Sequence, residues 1–161
     1  MLGAVLLFAV TVVQADQALT EVANEIAEEA NLPYHAVVFI HEPWRAEGVV
    51  NAETNRKENL IVIAVSPLLA EDLDADAVRA MLAHELAHYQ NSCGPKYGSL
   101  AAAIACEKHA DARSVTWVGK RAVLRGLCQL IASSWRWRYV TDVSDLIERI
   151  AYIHQLPEGP P

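Results

Sequence analysis

At 161 residues, 53% of them apolar, the chain can bury one substantial core and hardly two. Its formal net charge of −7 leaves no broad basic surface to neutralise phosphates, which argues against a nucleic-acid partner. Neither an internal repeat nor a low-complexity tract interrupts it, so a single domain is expected over residues 16–161, preceded by a compositionally distinct segment, residues 1–15.

Residues 1–13 are almost wholly apolar, Gln14, Ala15 and Asp16 end the run, and no Lys or Arg occurs before Arg45. The run is shorter than the roughly 20 residues that span a bilayer. It matches the apolar region of a signal peptide, with Val13-Gln14-Ala15 as a small-residue cleavage site, although the usual positive start is missing. Removal on export or retention at a membrane is therefore expected, placing the protein in the cell envelope. The alternatives are the tail of a membrane-spanning helix or a helix buried on the domain.

From Asp16 to Ala30, Leu19, Val22, Ala23, Ile26 and Ala27 recur at helical spacing with acidic residues opposite, and Asn31-Leu32-Pro33 ends the helix. Residues 35–41 and 59–66 read as strands. The second contains Leu60-Ile61-Val62-Ile63-Ala64-Val65, a continuous apolar run expected of a strand buried on both faces. Between them, polar residues around Gly48 predict a hairpin with a short middle strand near Val49 and Val50. An exposed strand edge there could accept an extended peptide through main-chain hydrogen bonds.

Next comes Met81-Leu82-Ala83-His84-Glu85-Leu86-Ala87-His88. Ala77, Val78, Met81, Leu82 and Leu86 place it on a core-packing helix that Asp74 or Asp76 could cap. At 100° per residue, His84 and His88 lie one turn apart on one face, where both imidazoles can reach a single metal ion. Glu85 projects to the side, able to approach a metal's water as general base without being a ligand. The extended HExxHxxGxxH pattern is excluded, because Asn91 and Gly94 stand where Gly and His are needed.

A catalytic zinc takes three protein ligands and keeps a fourth position open. A second helical run, from about Gly98 and Ser99 to Trp117 or Val118, carries Cys106-Glu107-Lys108-His109-Ala110-Asp111. Glu107 and Asp111 share a face, so Glu107 is the candidate third ligand, with Asp111 accepting the free N–H of a ligand histidine. His109 is the rival, roughly 200° round the helix from Glu107. Cys93, Cys106 and Cys128 make an odd count; pairing of Cys93 with Cys106 is one option, but burial of all three as small apolar side chains is the expectation. Trp135-Arg136-Trp137-Arg138-Tyr139 alternates aromatic and cationic residues, suited to a membrane interface or to packing on the core. His35, His41 and His154 read as surface or core histidines.

HELAH followed by EKHAD resembles the gluzincin peptidases of the HtpX and CAAX prenyl endopeptidase type, family forty-eight of the metallopeptidases. The order of elements from about Ala18 to Leu156 is similar, and residues 141–150, TDVSDLIERI, resemble the family's STHPPLEERI-like segment, with Asp142 and Val143 in place of His and Pro. The nearest counterpart to the family's NAFA-type motif is Gly48-Val49-Val50-Asn51-Ala52. The resemblance implies an α+β, zincin-like domain with helices packed on a small mixed sheet. It also implies one Zn2+ per chain on His84, His88 and Glu107, and hydrolysis of extended or unfolded polypeptide with Glu85 as base. Tyr139, Arg138 and His154 are candidates to stabilise the transition state. The alternative is an inactive zinc-binding or membrane-tethered interaction module.

Overall fold

A computed structural model of the chain describes residues 16–41, 50–55, 59–90, 100–137 and 144–159. The order of elements is α1 (Gln17–Glu29), β1 (His35–Ile40), β2 (Val50–Asn55), β3 (Leu60–Val65), α2 (Pro67–Asp72), α3 (Ala75–Gln90), α4 (Leu100–Val118), α5 (Lys120–Trp137) and α6 (Ser144–His154). Helices and a small mixed sheet make an α+β domain.

Helix boundaries follow from local chemistry. The Asp16 carboxylate accepts from the Leu19 N–H at 2.9 Å and so caps α1. At the other end Asn31 adopts φ 52°, the Leu32 N–H donates to the Ala27 carbonyl and the Asn31 N–H to that of Glu28. That pair of bonds on a left-handed residue stops a helix by satisfying its last carbonyls. Asp74, rather than Asp76, caps α3, accepting from the Ala77 N–H at 3.0 Å. Gly119, at φ 84°, separates α4 from α5 at a conformation that only glycine adopts without strain.

The sheet order is β1-β3-β2, with β1 parallel and β2 antiparallel to β3. The strand expected in the middle of the sequence run thus pairs, among the described residues, with β3 alone and lies at an edge. The opposite edge, β1, is occupied by α1. The Asn24 amide donates to the Ala36 carbonyl and accepts from its N–H, both at 2.9 Å, and the Thr20 hydroxyl accepts from the Val38 N–H. Side chains of α1 therefore take the hydrogen bonds that another strand would make, which blunts that edge. In β3, Ile61, Ile63 and Val65 are fully buried, whereas Leu60 and Val62 are half-buried. Expected burial on both faces is thus only partial, because the covering helices converge on one side.

That side is the main core: Ile26, Val38, Ile61, Ile63, Leu69, Leu82 and Leu86 interlock. A second cluster gathers Ala80, Val115, Val123, Leu127, Leu146 and Ile153 from α3 to α6. Helix α3 lies between the two clusters and is buried on several sides, so its apolar residues do not form one clean stripe. Gly126 of α5 faces Ala80 of α3, where a Cβ on the glycine would come within 3.3 Å of the Ala80 Cβ, so the two helices approach closely there. No helix among the described residues is long and apolar enough to cross a membrane. The apolar opening segment, residues 1–15, lies outside the described residues.

Candidate metal centre

On α3, His84 and His88 stand one turn apart, and their rings meet edge to face with centroids 4.6 Å apart. Helix α4 runs alongside with Ala110, Ser114 and Val115 buried, which turns Glu107 and Asp111 towards α3. The Nε2 atoms of the two histidines are 3.0 Å apart; a Glu107 oxygen lies 3.0 Å from His84 Nε2 and its other oxygen 3.4 Å from His88 Nε2. All three side chains thus aim ligand atoms at one point. A tetrahedral zinc with bonds of about 2.0–2.1 Å separates its ligand atoms by roughly 3.3–3.4 Å. The observed triangle is close to that size, and two nitrogens and a carboxylate are donors that zinc accepts, so the residues fit the ion.

Asp111 and Arg149 buttress the cluster. The His84 Nδ1–H donates to Asp111 Oδ1 at 2.9 Å. Arg149, from α6, grips Asp111 with both Nε and Nη2 at 2.7 Å and places Nη1 3.1 Å from Glu107. Asp111 is 1% exposed and Arg149 8%. Burial tends to raise the Asp111 pKa, but hydrogen bonds from Arg149 and His84 overcome it and hold the group down at about 2. Glu107 is lowered too: burial opposes, and His84 and Arg149 outweigh it. For His84 the balance runs the other way. Burial disfavours its charge, yet hydrogen bonds to Asp111 and Glu107 raise it to about 9. Burial and the neighbouring His84 lower His88 to about 4. The metal-free pair therefore carries one positive charge at neutral pH, on the imidazole that has two carboxylate partners.

Glu85 lines a cavity beside this cluster together with His84 and Glu107. Burial raises its pKa, more than the opposing pull of His84 lowers it, so its carboxylate is a stronger base than an exposed one. His109 is exposed and away from the cluster. His154 is exposed at the end of α6, where its carbonyl accepts from Lys120, and it does not line the cavity. Arg138 and Tyr139 lie outside the described residues.

Two findings depart from the sequence-based expectations. Cys106 is disulfide-bonded and Cys128 is free and exposed, so the cysteines are not a set of buried small apolar groups; Cys93 lies outside the described residues. The Cys106 sulfur sits 3.7 Å from His88 Nδ1, against the side of the ring that faces away from the ligand cluster. Arg149 was not among the candidate residues. Its signal was available: it falls three residues after Leu146 and four before Ile153, on the buried stripe of α6, where an arginine requires a partner.

No curated protein and no solved structure matches the chain. The model of peptidase family M48 matches residues 13–93, a span that runs through the sheet and HELAH and stops short of Glu107, which only the folding of α4 against α3 brings into the cluster. By that match, over half its length, the chain belongs to peptidase family M48.

Proposed function

We propose that the chain is a zinc-dependent metalloendopeptidase of the HtpX and CAAX prenyl endopeptidase type, built on a zincin-like domain. The observation that carries this reading is the convergence of His84, His88 and Glu107 at ligand spacing beside a base, Glu85, raised by burial. Zinc bound there would supply Lewis acidity, lowering the pKa of a water and polarising the scissile carbonyl. Glu85 takes the water's proton and passes it to the departing amine. Asp111 holds His84 in one orientation through Nδ1, leaving Nε2 for the metal, and Arg149 keeps Asp111 ionised and Glu107 in place. No covalent intermediate is needed.

The substrate is an extended or unfolded polypeptide. Strand β2 pairs on one side only among the described residues and packs near α3, so a peptide laid along its outer edge would run past the ligand helix. A buried bond in a folded protein could not adopt that path. The export or membrane association expected from residues 1–15 is part of the same proposal, since an unfolded-protein peptidase in the envelope would need it.

Cleavage of casein by the zinc-loaded chain, with and without a chelator, tests the reading. Chelator-sensitive cleavage that is lost in Glu85→Ala supports it. Cleavage indifferent to chelator, or equal in Glu85→Ala, overturns it.

A further inference from the structure

Two successive residues of α4 flank one imidazole of the ligand cluster. Glu107 presents an oxygen 3.4 Å from His88 Nε2, and Cys106 presents its sulfur 3.7 Å from His88 Nδ1. Neighbouring side chains leave a helix about 100° apart, so the two meet the ring from different directions. Among the described residues no other group hydrogen-bonds to His88 Nδ1. Cys106 is 5% exposed, so the contact is closed to most solvent. The same nitrogen of His84 is held instead by the Asp111 carboxylate at 2.9 Å. The two ligand histidines therefore have unlike outer partners, one an anion and the other a sulfur in a disulfide.

From this geometry we propose that Cys106, as a disulfide, is a positioning residue of the metal centre: its sulfur keeps the His88 proton on Nδ1, which leaves Nε2 free for the ion, and reduction of the disulfide releases that hold. The proposal rests on the zinc-site reading above. Its basis is the hydrogen-bonding character of sulfur in two oxidation states. A neutral imidazole holds one ring proton, so what the outer nitrogen does decides what the inner one offers. A disulfide sulfur has no proton and can only accept, so it pairs with an Nδ1–H. A thiol can also donate, and an S–H aimed at Nδ1 pairs with the tautomer protonated on Nε2, the atom that has to bind the metal. The two tautomers of an imidazole are close in energy, so even a weak sulfur contact chooses between them. Reduction breaks the S–S bond: a dithiol supplies two electrons and two protons, closes into its own disulfide, and leaves two thiols on the chain. Disulfides persist in the cell envelope and outside the cell but not in a reducing cytosol. The centre is thus poised to take zinc in the compartment to which the proposed export would bring the chain.

Zinc competition titrations on Cys128→Ser, which removes the free exposed thiol, test this in three states of one chain. The states are oxidised, reduced with a dithiol that is then removed without air, and reduced then capped with methyl methanethiosulfonate. Capping returns a disulfide sulfur to Cys106 without restoring the crosslink, so it separates hydrogen-bonding character from covalent tethering. Reduction is expected to weaken zinc binding about 10- to 100-fold, the usual cost of losing the outer partner of a ligand histidine, and capping to restore it. Unchanged affinity on reduction overturns the proposal. So does a loss that capping leaves in place, since the disulfide would then be a tether only. A second readout needs no metal. At pH 7, where His88 is uncharged, long-range proton–nitrogen NMR correlations of the isotope-labelled, metal-free chain show which ring nitrogen is protonated. Nδ1 is expected to carry the proton in the oxidised and capped chains, with an Nε2-protonated fraction appearing on reduction. A proton that stays on Nδ1 in all three states overturns the proposal. Zinc binding absent from all three, alongside the expected proton shift, counts against the metal-centre reading and for the role of Cys106.

Discussion

Replacing Arg149 by methionine removes one of the two cations that bridge Glu107 and Asp111 of α4, protonated His84 being the other, and the cost can be worked from its contacts. The guanidinium makes two 2.7 Å bonds to Asp111 and lies 3.1 Å from Glu107. Asp111 sits at about 2 rather than its ordinary 3.8, a depression that corresponds to about 2 kcal/mol, shared between Arg149 and His84. Losing Arg149 also leaves a 1%-exposed carboxylate without its main partner. Breaking a buried pair in this way typically costs about 3–5 kcal/mol. Urea unfolding of the metal-free chain measures it. In wild type the lowered Asp111 pKa stabilises fully above about pH 4, and that contribution is lost as pH falls through about 2. In Arg149→Met, burial is opposed by His84 alone, so the Asp111 pKa rises relative to wild type and the penalty present at neutral pH is relieved as pH falls towards the raised value. The gap between the two proteins should therefore narrow from pH 7 to pH 4.5. Arg149→Met/Asp111→Leu, which removes both charges, should regain much of the loss. A loss below about 1 kcal/mol at pH 7, a gap that widens on acidification, or a double variant no better than the single would refute the reasoning.

Glu107→Ala should abolish most zinc binding while His109→Ala retains it, as elemental analysis of the two purified variants will show; the reverse pattern would make His109 the ligand. Glu85→Gln should bind zinc and unfold like wild type yet cleave about 10²–10⁴ times more slowly, and peptide turnover at matched zinc content decides this. Zinc affinity should rise about tenfold per pH unit between roughly pH 5 and 9, because the ion displaces the Nε2 proton that makes His84, raised to about 9, cationic, while His88, lowered to about 4, is already neutral. Competition titrations across that range read the slope, and a flat profile between pH 6 and 8 would contradict it. The same His84 proton stabilises the metal-free fold below about pH 6.5 and ceases to do so as pH rises through about 9. Asn24→Ala should cost about 1–3 kcal/mol in urea unfolding, since it strips both partners from the Ala36 backbone at the β1 edge; a change within error would mean that water replaces them freely.

Local periodicity was enough to place α1, β1, β3, α3 and α4, because each is written in contiguous residues: Asn31 after the apolar repeat of α1, the alternating and continuous apolar runs of the strands, and HELAH within a helical stripe. The His84 and His88 pairing also follows from one helix, whose geometry is fixed by hydrogen bonds four residues apart. Interactions between elements were less accessible. That β3 lies between β1 and β2 depends on which strands share hydrogen bonds, and Thr20 and Asn24 closing the β1 edge depends on where α1 docks. Glu107 could be nominated from its spacing to Asp111, but only the packing of α4 on α3, with Ala110, Asp111 and Ser114 buried and His109 exposed, separates it from His109. Arg149 comes from a helix 65 residues beyond His84, and a buried guanidinium is intelligible only when the carboxylates that neutralise it are seen. The cavity beside Glu85 is likewise a property of two facing helices, since neither α3 nor α5 alone encloses a volume. Chain-local hydrogen bonding and hydrophobic periodicity are encoded in neighbouring residues, whereas charge neutralisation, sheet order and enclosed space are decided by which surfaces meet.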